Sequence, residues 1–253
     1  MIVCYAQGGG LGHLTRIRAY LHTVHGDAPA TIVSASPFAA DPRVAGPHRV
    51  VGGAVSDVLR ELRASTLVVD AFPGGIDGEL RVPDGVRTVL LARSLRNYSA
   101  EPVRFDQVWT VEELGATQQA SLSEISGNVA PLELTDPPAS PSAPLAPGTW
   151  LIPHAGPMSE IEELIAYARE CATLENHTPR LLVASPLKPP ADVDHIDVYP
   201  VWPLFAHADR VISAAGFNIV RQMRPWRPKH RMLPFPRRWD DQFTRATRAR
   251  ACP

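Results

Sequence analysis

Residues 6–16 read AQGGGLGHLTR and lie between the apolar start MIVCY and the run IRAYLHTVH. Glycines occupy positions 8, 9, 10 and 12, and a histidine follows at once. A glycine-rich turn from a strand into a helix lets the backbone reach positive φ and lets another molecule approach the main chain. It also leaves backbone N–H groups aimed outward, where they favour anions. His13 stands at the mouth of that turn and can carry or take a proton near neutral pH. A turn packed tightly under a helix accounts for one or two of these glycines; Gly8, Gly9, Gly10 and Gly12 together with His13 point to function. The dinucleotide fingerprint is incomplete, because TIVSASPF ends the next strand with serines and no acid. No GK[ST] follows the glycines, so the loop is not a P-loop.

Outward from this turn, short β-branched runs alternate with helical spacing. IVCYA, a helix from about 14 to 25, and TIVSA at 31–35 form a first βαβ unit. VSDVLRELR at 55–63 has helical spacing and leads into STLVVD, which ends at Asp70; TVLLA and FDQVWTV continue the series. Apolar strands separated by helices predict a parallel sheet covered on both faces. The stretch 131–150, PLELTDPPASPSAPLAPGTW, has neither period and six prolines, and reads as a stiff linker. Beyond it come the strand and turn WLIPHAG, the helix SEIEELIAYARECATLE with a capping box of Ser159 and Glu162, then RLLVAS, HIDVYPV, RVISAAG, a short helix from Asn218, RMLPFP and a last helix from about 240. The expected fold is α/β: a Rossmann-like domain over 1–135, a linker over 136–150 and a second Rossmann-like domain over 151–253. Ligands of open α/β sheets bind beyond the carboxyl ends of the strands, so a cleft between two such halves is the expected site.

Bulk properties set limits. With 253 residues and 45% hydrophobic content the chain is globular in type, and no apolar run reaches the roughly 20 residues that span a bilayer. MIVCYA runs straight into glycines without a signal-peptide core. Cys4, Cys171 and Cys252 are odd in number and far apart, which predicts free thiols, no zinc site and a cytoplasmic setting. Between Arg221 and Arg250 the only acids are Asp240 and Asp241. That end is either a solvated arginine-rich surface or a surface for an anion such as a diphosphate or a phospholipid headgroup, hence a peripheral membrane contact. No nucleic-acid motif is visible.

Three further stretches carry chemistry. In STLVVDAFPGGIDGEL, Asp70 falls where a buried strand meets a loop; it is a catalytic or binding carboxylate or one that holds the turn. In ADRVISAAGFNIVRQM, the strand ends at Ser213, Gly216 makes a close turn, Asn218 is a fair N-cap, and Gln222 could bond ribose hydroxyls. In MLPFPRRWDDQFTRA, Asp240, Asp241 and Gln242 suit sugar hydroxyls or simple helix capping. The PHAG turn holds His154, either a turn residue or a phosphate contact.

The last two of these stretches, ADRVISAAGFNIVRQ and LPFPRRWDDQFTR, resemble the carboxyl-terminal half of GT-B nucleotide-sugar glycosyltransferases, the group containing the peptidoglycan GlcNAc transferase. GGGLGHLTR is similar to the glycine loop and histidine of that group, and VVDAFPGGIDGEL to a D-x-F-P-x-G-x-x-x-E-L stretch in a poorly characterised branch of it. The loop, through Gly10, Gly12, His13 and Arg16, also looks like that of the UDP-sugar hydrolase of pseudaminic acid synthesis. The resemblance implies two Rossmann-like domains and a sugar nucleotide, with uridine as the expected base, held mostly by the second. It implies His13 as the base, Gly8, Gly9, Gly10 and Gly12 beside the acceptor or diphosphate, and Ser213, Gly216, Phe217 and Asn218 at the nucleotide. Asp241 and Gln242 would hold the donor sugar. Gln222 departs from the pattern, which has a glutamate on the ribose, and the chain stops soon after the last helix. Three functions follow: a metal-independent transfer from an NDP-sugar to an unidentified acceptor hydroxyl, with no cofactor beyond that co-substrate; hydrolysis of a nucleotide sugar by a His13-activated water; or binding without catalysis.

Overall fold

The alternating apolar and helical runs form two wholly parallel sheets in the computed structural model, which describes residues 1–140 and 143–251. The thiol of Cys252 and residues 141–142 of the expected linker lie outside those residues. The chain divides into two units, Met1–Pro137 and Pro138–Pro253.

The first unit runs β1 (Ile2–Tyr5), α1 (Gly12–His25), β2 (Ala30–Val33), α2 (Pro42–Ala45), β3 (Arg49–Val51), α3 (Val55–Glu61), β4 (Thr66–Asp70), β5 (Arg87–Ala92), β6 (Gln107–Thr110), α4 (Ala116–Ile125) and β7 (Val129–Pro131). Its strand order is β3-β2-β1-β4-β5-β6-β7. Strands covered on both faces have no polar side, which is why IVCY, ATIV and TLVVD are nearly continuous apolar runs. Leu14, Ile17 and Leu21 of α1 are fully buried at helical spacing. The helix stops at Gly26, whose left-handed φ of 56° lets its N–H reach back to the last carbonyls. After β3 the chain returns to the other side of β1, so β1 and β4 are neighbours, with Tyr5 opposite Val69. The strand order reverses there, and the carboxyl ends of those two strands are where open α/β sheets bind ligands.

The second unit runs β8 (Thr149–Pro153), α5 (Met158–Leu174), β9 (Arg180–Ala184), β10 (Asp194–Ile196), β11 (Arg210–Ser213), α6 (Phe217–Gln222), β12 (His230–Met232) and α7 (Gln242–Ala251). Its order is β10-β9-β8-β11-β12, with the same reversal between β8 and β11. Ile161, Leu164, Ile165 and Ala168 of α5 pack on Trp150, Ile152, Val183 and Ile212 of the sheet.

Several local expectations are corrected. Pro131 closes β7 and Thr149 opens β8, so the proline-rich stretch is bounded by strands at both ends. The N-cap of α5 is Pro157 with no side-chain cap, which leaves Ser159 inside the first turn and the capping box unformed. Gly216, not Asn218, caps α6; its extended backbone ends the turn one residue before the helix begins at Phe217. Cys4 and Cys171 are buried free thiols. Among the described residues no helix is long and apolar enough to cross a membrane.

Candidate functional site

His13 and Asp70 lie 57 residues apart, and the reversal between β1 and β4 brings them together. Asp70 is the last residue of β4 and is fully buried; His13 is the second residue of α1, and its side chain is 13% exposed. His13 Nδ1 donates to Asp70 Oδ2 at 2.6 Å. Arg16, one turn further along α1, donates from Nε to Asp70 Oδ1 at 2.5 Å and from Nη2 to Oδ2 at 2.8 Å. Burial alone would raise the Asp70 carboxyl, but the Arg16 and His13 charges and hydrogen bonds outweigh it and hold it at about 2. Burial lowers His13 below its ordinary value; Asp70 pulls the other way, and Arg16 and Arg93 push down again. A neutral imidazole with Nδ1–H tied to a carboxylate keeps its lone pair on Nε2, the arrangement of a general base.

Gly8 explains why glycine is needed there. A Cβ at Gly8, where φ is +148°, would sit 2.4 Å from His13 Cδ2 and 2.5 Å from Nε2. Gly9 has nothing within 4 Å of such a Cβ and is exposed, and Gly10 is nearly as open. Thus Gly8 clears the imidazole, while Gly9 and Gly10 leave the turn open above it. Gly12 opens α1.

The FPGG stretch supplies a wall. The ring of Phe72 stacks on His13 with centroids 5.6 Å apart and planes at 26°. Phe72 is itself 5.6 Å from Tyr98, whose hydroxyl accepts from Gly74 N and donates to Gly75 O, both at 2.8 Å. Tyr5 donates its hydroxyl hydrogen to Glu79 and accepts from Ile76 N at 2.8 Å. Ala71, between Asp70 and Phe72, holds a left-handed φ of 73°, a strained setting for a residue with a Cβ. Tyr98 and the buried Arg93 just after β5 were not singled out from sequence, and Phe72 and Glu79 entered only within the D-x-F-P-x-G-x-x-x-E-L resemblance. Arg16 entered only through its loop. Its spacing of three from His13 on a helix was the available signal.

In the second unit the expected donor residues cluster at the carboxyl ends of β11 and β12, but several serve the fold. Ser213 is fully buried; its hydroxyl donates to Ala214 O at 2.8 Å and accepts from His230 Nε2 at 2.8 Å. Arg227 donates to His230 Nδ1 at 3.1 Å, and burial with that cation holds His230 down at about 3. Gln242 is 4% exposed, and its Oε1 accepts from Ala215 N at 3.2 Å and Phe235 N at 3.1 Å, clamping the two turns. Asp241 caps α7 through Thr244 N at 3.1 Å and Thr244 Oγ1 at 2.9 Å. Asp241 thus makes helix-capping bonds, and the Ser213 hydroxyl and Gln242 carbonyl hold turns. Phe217 is buried, whereas Gly216, Asn218 and Gln222 are half-buried.

His154 follows β8 and donates from Nε2 to Glu160 Oε2 at 2.8 Å, while Arg237 reaches both oxygens of Glu160. Gly156 is tight against that pair, since a Cβ would lie 2.4 Å from His154 Nε2. The arginine-rich end is partly internal: Arg245 pairs with Asp240 at 2.7 Å, Arg231 with Glu175 at 2.7 Å, and Arg250 donates to Met232 O at 2.6 Å. Among the described residues no group of three or more His, Cys, Asp or Glu is placed to hold a metal ion.

No family profile and no curated protein matches the chain. Solved structures do. The glycosyltransferase of kitacinnamycin superposes with a TM-score of 0.59 at 10% identity, over 99% of this chain and 84% of that one. The spinosyn rhamnosyltransferase SpnG, complexed with thymidine diphosphate, gives 0.58 at 14% identity, over 99% and 84%. The glycosyltransferase SnogD from Streptomyces nogalater gives 0.51 at 13% identity, over 88% and 77%. Two parallel Rossmann-like sheets in this order and this overall likeness give the conclusion: the chain has the GT-B fold of these glycosyltransferases.

Proposed function

We propose that the chain transfers a sugar from a nucleoside diphosphate sugar to an acceptor hydroxyl, with His13 as general base and without a metal. The observation that carries this reading is the His13 imidazole: Nδ1 is tied to Asp70, and a glycine lies against the edge that bears Nε2. Nε2 takes the acceptor's hydroxyl proton as the oxygen attacks the anomeric carbon. The bond from that carbon to the diphosphate breaks, and its electrons leave with the diphosphate. Asp70 stabilises the imidazolium formed and stays ionised, as its low pKa requires. Gly8, Gly9, Gly10 and Gly12 border the acceptor. The turn of Gly216, Phe217, Asn218 and Gln222 meets the nucleotide, with Asp241 and Gln242 shaping the wall behind the donor sugar. Backbone N–H groups and arginines neutralise the leaving diphosphate in place of a metal.

The test is incubation with a panel of NDP-sugars, with and without candidate hydroxyl acceptors, following NDP release. Acceptor-dependent release is expected. His13→Ala should lower turnover about 100-fold or more, on the scale of a lost general base, with nucleotide binding intact. Free sugar without acceptor would make water the acceptor and the chain a hydrolase. Tight binding with no turnover on any panel member would leave a binding protein and end the proposal, as would undiminished turnover in the His13 variant.

A further inference from the structure

Arg16 takes no part in the proton transfer above, yet it is 3% exposed and lies against both side chains that do. Three residues after His13 on α1, it projects to the same side of the helix. Its Nε and Nη2 bond the two oxygens of Asp70 as a fork. Oδ2 is also the oxygen that receives His13 Nδ1–H, and Arg16 Nη2 ends 3.4 Å from Nδ1. Two donors therefore converge on one acceptor oxygen.

We propose that Arg16 is a positioning residue for His13: by gripping both oxygens of Asp70 it fixes the acceptor that selects the imidazole tautomer and leaves Nε2 bare. The inference rests on the reading of His13 as the base, whether the proton comes from an acceptor hydroxyl or from water. Without the fork, Asp70 can turn about its last side-chain bond and present either oxygen at any angle. With it, Oδ2 has one position, and so has the ring that bonds it. The charge contributes as well. A carboxylate facing an imidazole by itself favours imidazolium, which has no lone pair to offer. The Arg16 cation offsets that pull, in line with its lowering effect on His13 alongside burial and Arg93. Lysine would keep the charge without the planar fork, so the two contributions separate by substitution.

The experiment uses the full chain as wild type, Arg16→Gln and Arg16→Lys, with imidazole nitrogens observed by NMR across pH and His13 assigned from its absence in His13→Ala. This readout needs no turnover. Wild type should show one neutral tautomer with hydrogen on Nδ1. Arg16→Gln should titrate at higher pH, and the acidic limb of kcat should move with it while KM for the donor stays near wild type. Arg16→Lys should recover the titration midpoint but show mixed tautomers and a reduced kcat. A wild-type midpoint in Arg16→Gln, or a single wild-type tautomer in Arg16→Lys, would overturn the proposal. If Arg16→Gln fails to fold because Asp70 is stranded without its cation, the tautomer of Arg16→Lys decides. The two readings fail separately: full turnover in His13→Ala removes the base, whereas an unmoved His13 titration removes Arg16.

Discussion

Replacing Gly8 with alanine should abolish most activity while leaving a folded protein, and the size of the effect follows from the geometry. The new Cβ would sit 2.4 Å from His13 Cδ2, whereas ordinary van der Waals contact begins at 3.4 Å, so the ring must give by about 1 Å. The Cδ2–Nε2 edge lies opposite Nδ1, and Asp70 already stands 2.6 Å beyond Nδ1. Phe72 covers one face. Retreat in the ring plane is closed, so the imidazole swings out and the bond to Asp70 is lost. Losing that charge-assisted bond costs about 1.5–3 kcal/mol, and a positive-φ alanine adds about 1–3 kcal/mol of strain. Turnover should fall about 10²- to 10⁴-fold, the range for a displaced general base, with the affinity for nucleoside diphosphate retained. The assay pairs initial-rate NDP release with chemical denaturation. Gly9→Ala, whose Cβ meets nothing within 4 Å, is the control for stability and should keep the wild-type unfolding midpoint. Gly8→Ala with wild-type turnover would refute the argument that this glycine clears the imidazole.

Two further outcomes test the second unit. Gln242→Ala should destabilise the protein by about 2–5 kcal/mol, because it orphans the buried N–H groups of Ala215 and Phe235; a loss within about 0.5 kcal/mol, the range of ordinary surface changes, would show that the clamp contributes nothing. His230 is held neutral in the folded state with its pKa at about 3, while the unfolded chain takes up that proton near its ordinary 6.5. The unfolded state thus binds more protons between these values, so stability should fall as pH drops from about 6.5 toward 3, by on the order of 5 kcal/mol in all. Urea midpoints for wild type and His230→Gln measure it: the variant should show the shallower pH dependence, and identical slopes would remove His230 as the cause.

Much of the fold was readable because its signals are local. A strand buried on both faces is written as an unbroken apolar run, as in TLVVD, and a helix covering a sheet repeats its apolar residues every three or four positions, as in α5. Boundaries and caps were less legible. Ser159 had the residue type of a cap but lies one residue past the first position of α5, because Pro157 supplies the extended backbone there. At the site, the glycine turn and His13 stood out, and Asp70 could be placed at a strand end. That Asp70 faces His13 could not be read, nor that Ser213 and Gln242 turn inward to hold neighbouring turns.

The amino-acid sequence by itself determined the α/β alternation, the glycine turn into α1 and the presence of a titratable ring at its edge, since each depends on residues within a few positions of one another. Only the tertiary structure decided what that ring touches. Parallel strands need a crossover between them, so the partners of His13 arrive from far along the chain: Asp70 from β4, after the order reverses, and Phe72 from the loop beyond. The bonds that Ser213, Asp241 and Gln242 make within their own unit were likewise visible only in three dimensions: Ser213 and Gln242 meet buried N–H, C=O and imidazole groups that are too costly to leave unpaired, and Asp241 meets the first turn of α7.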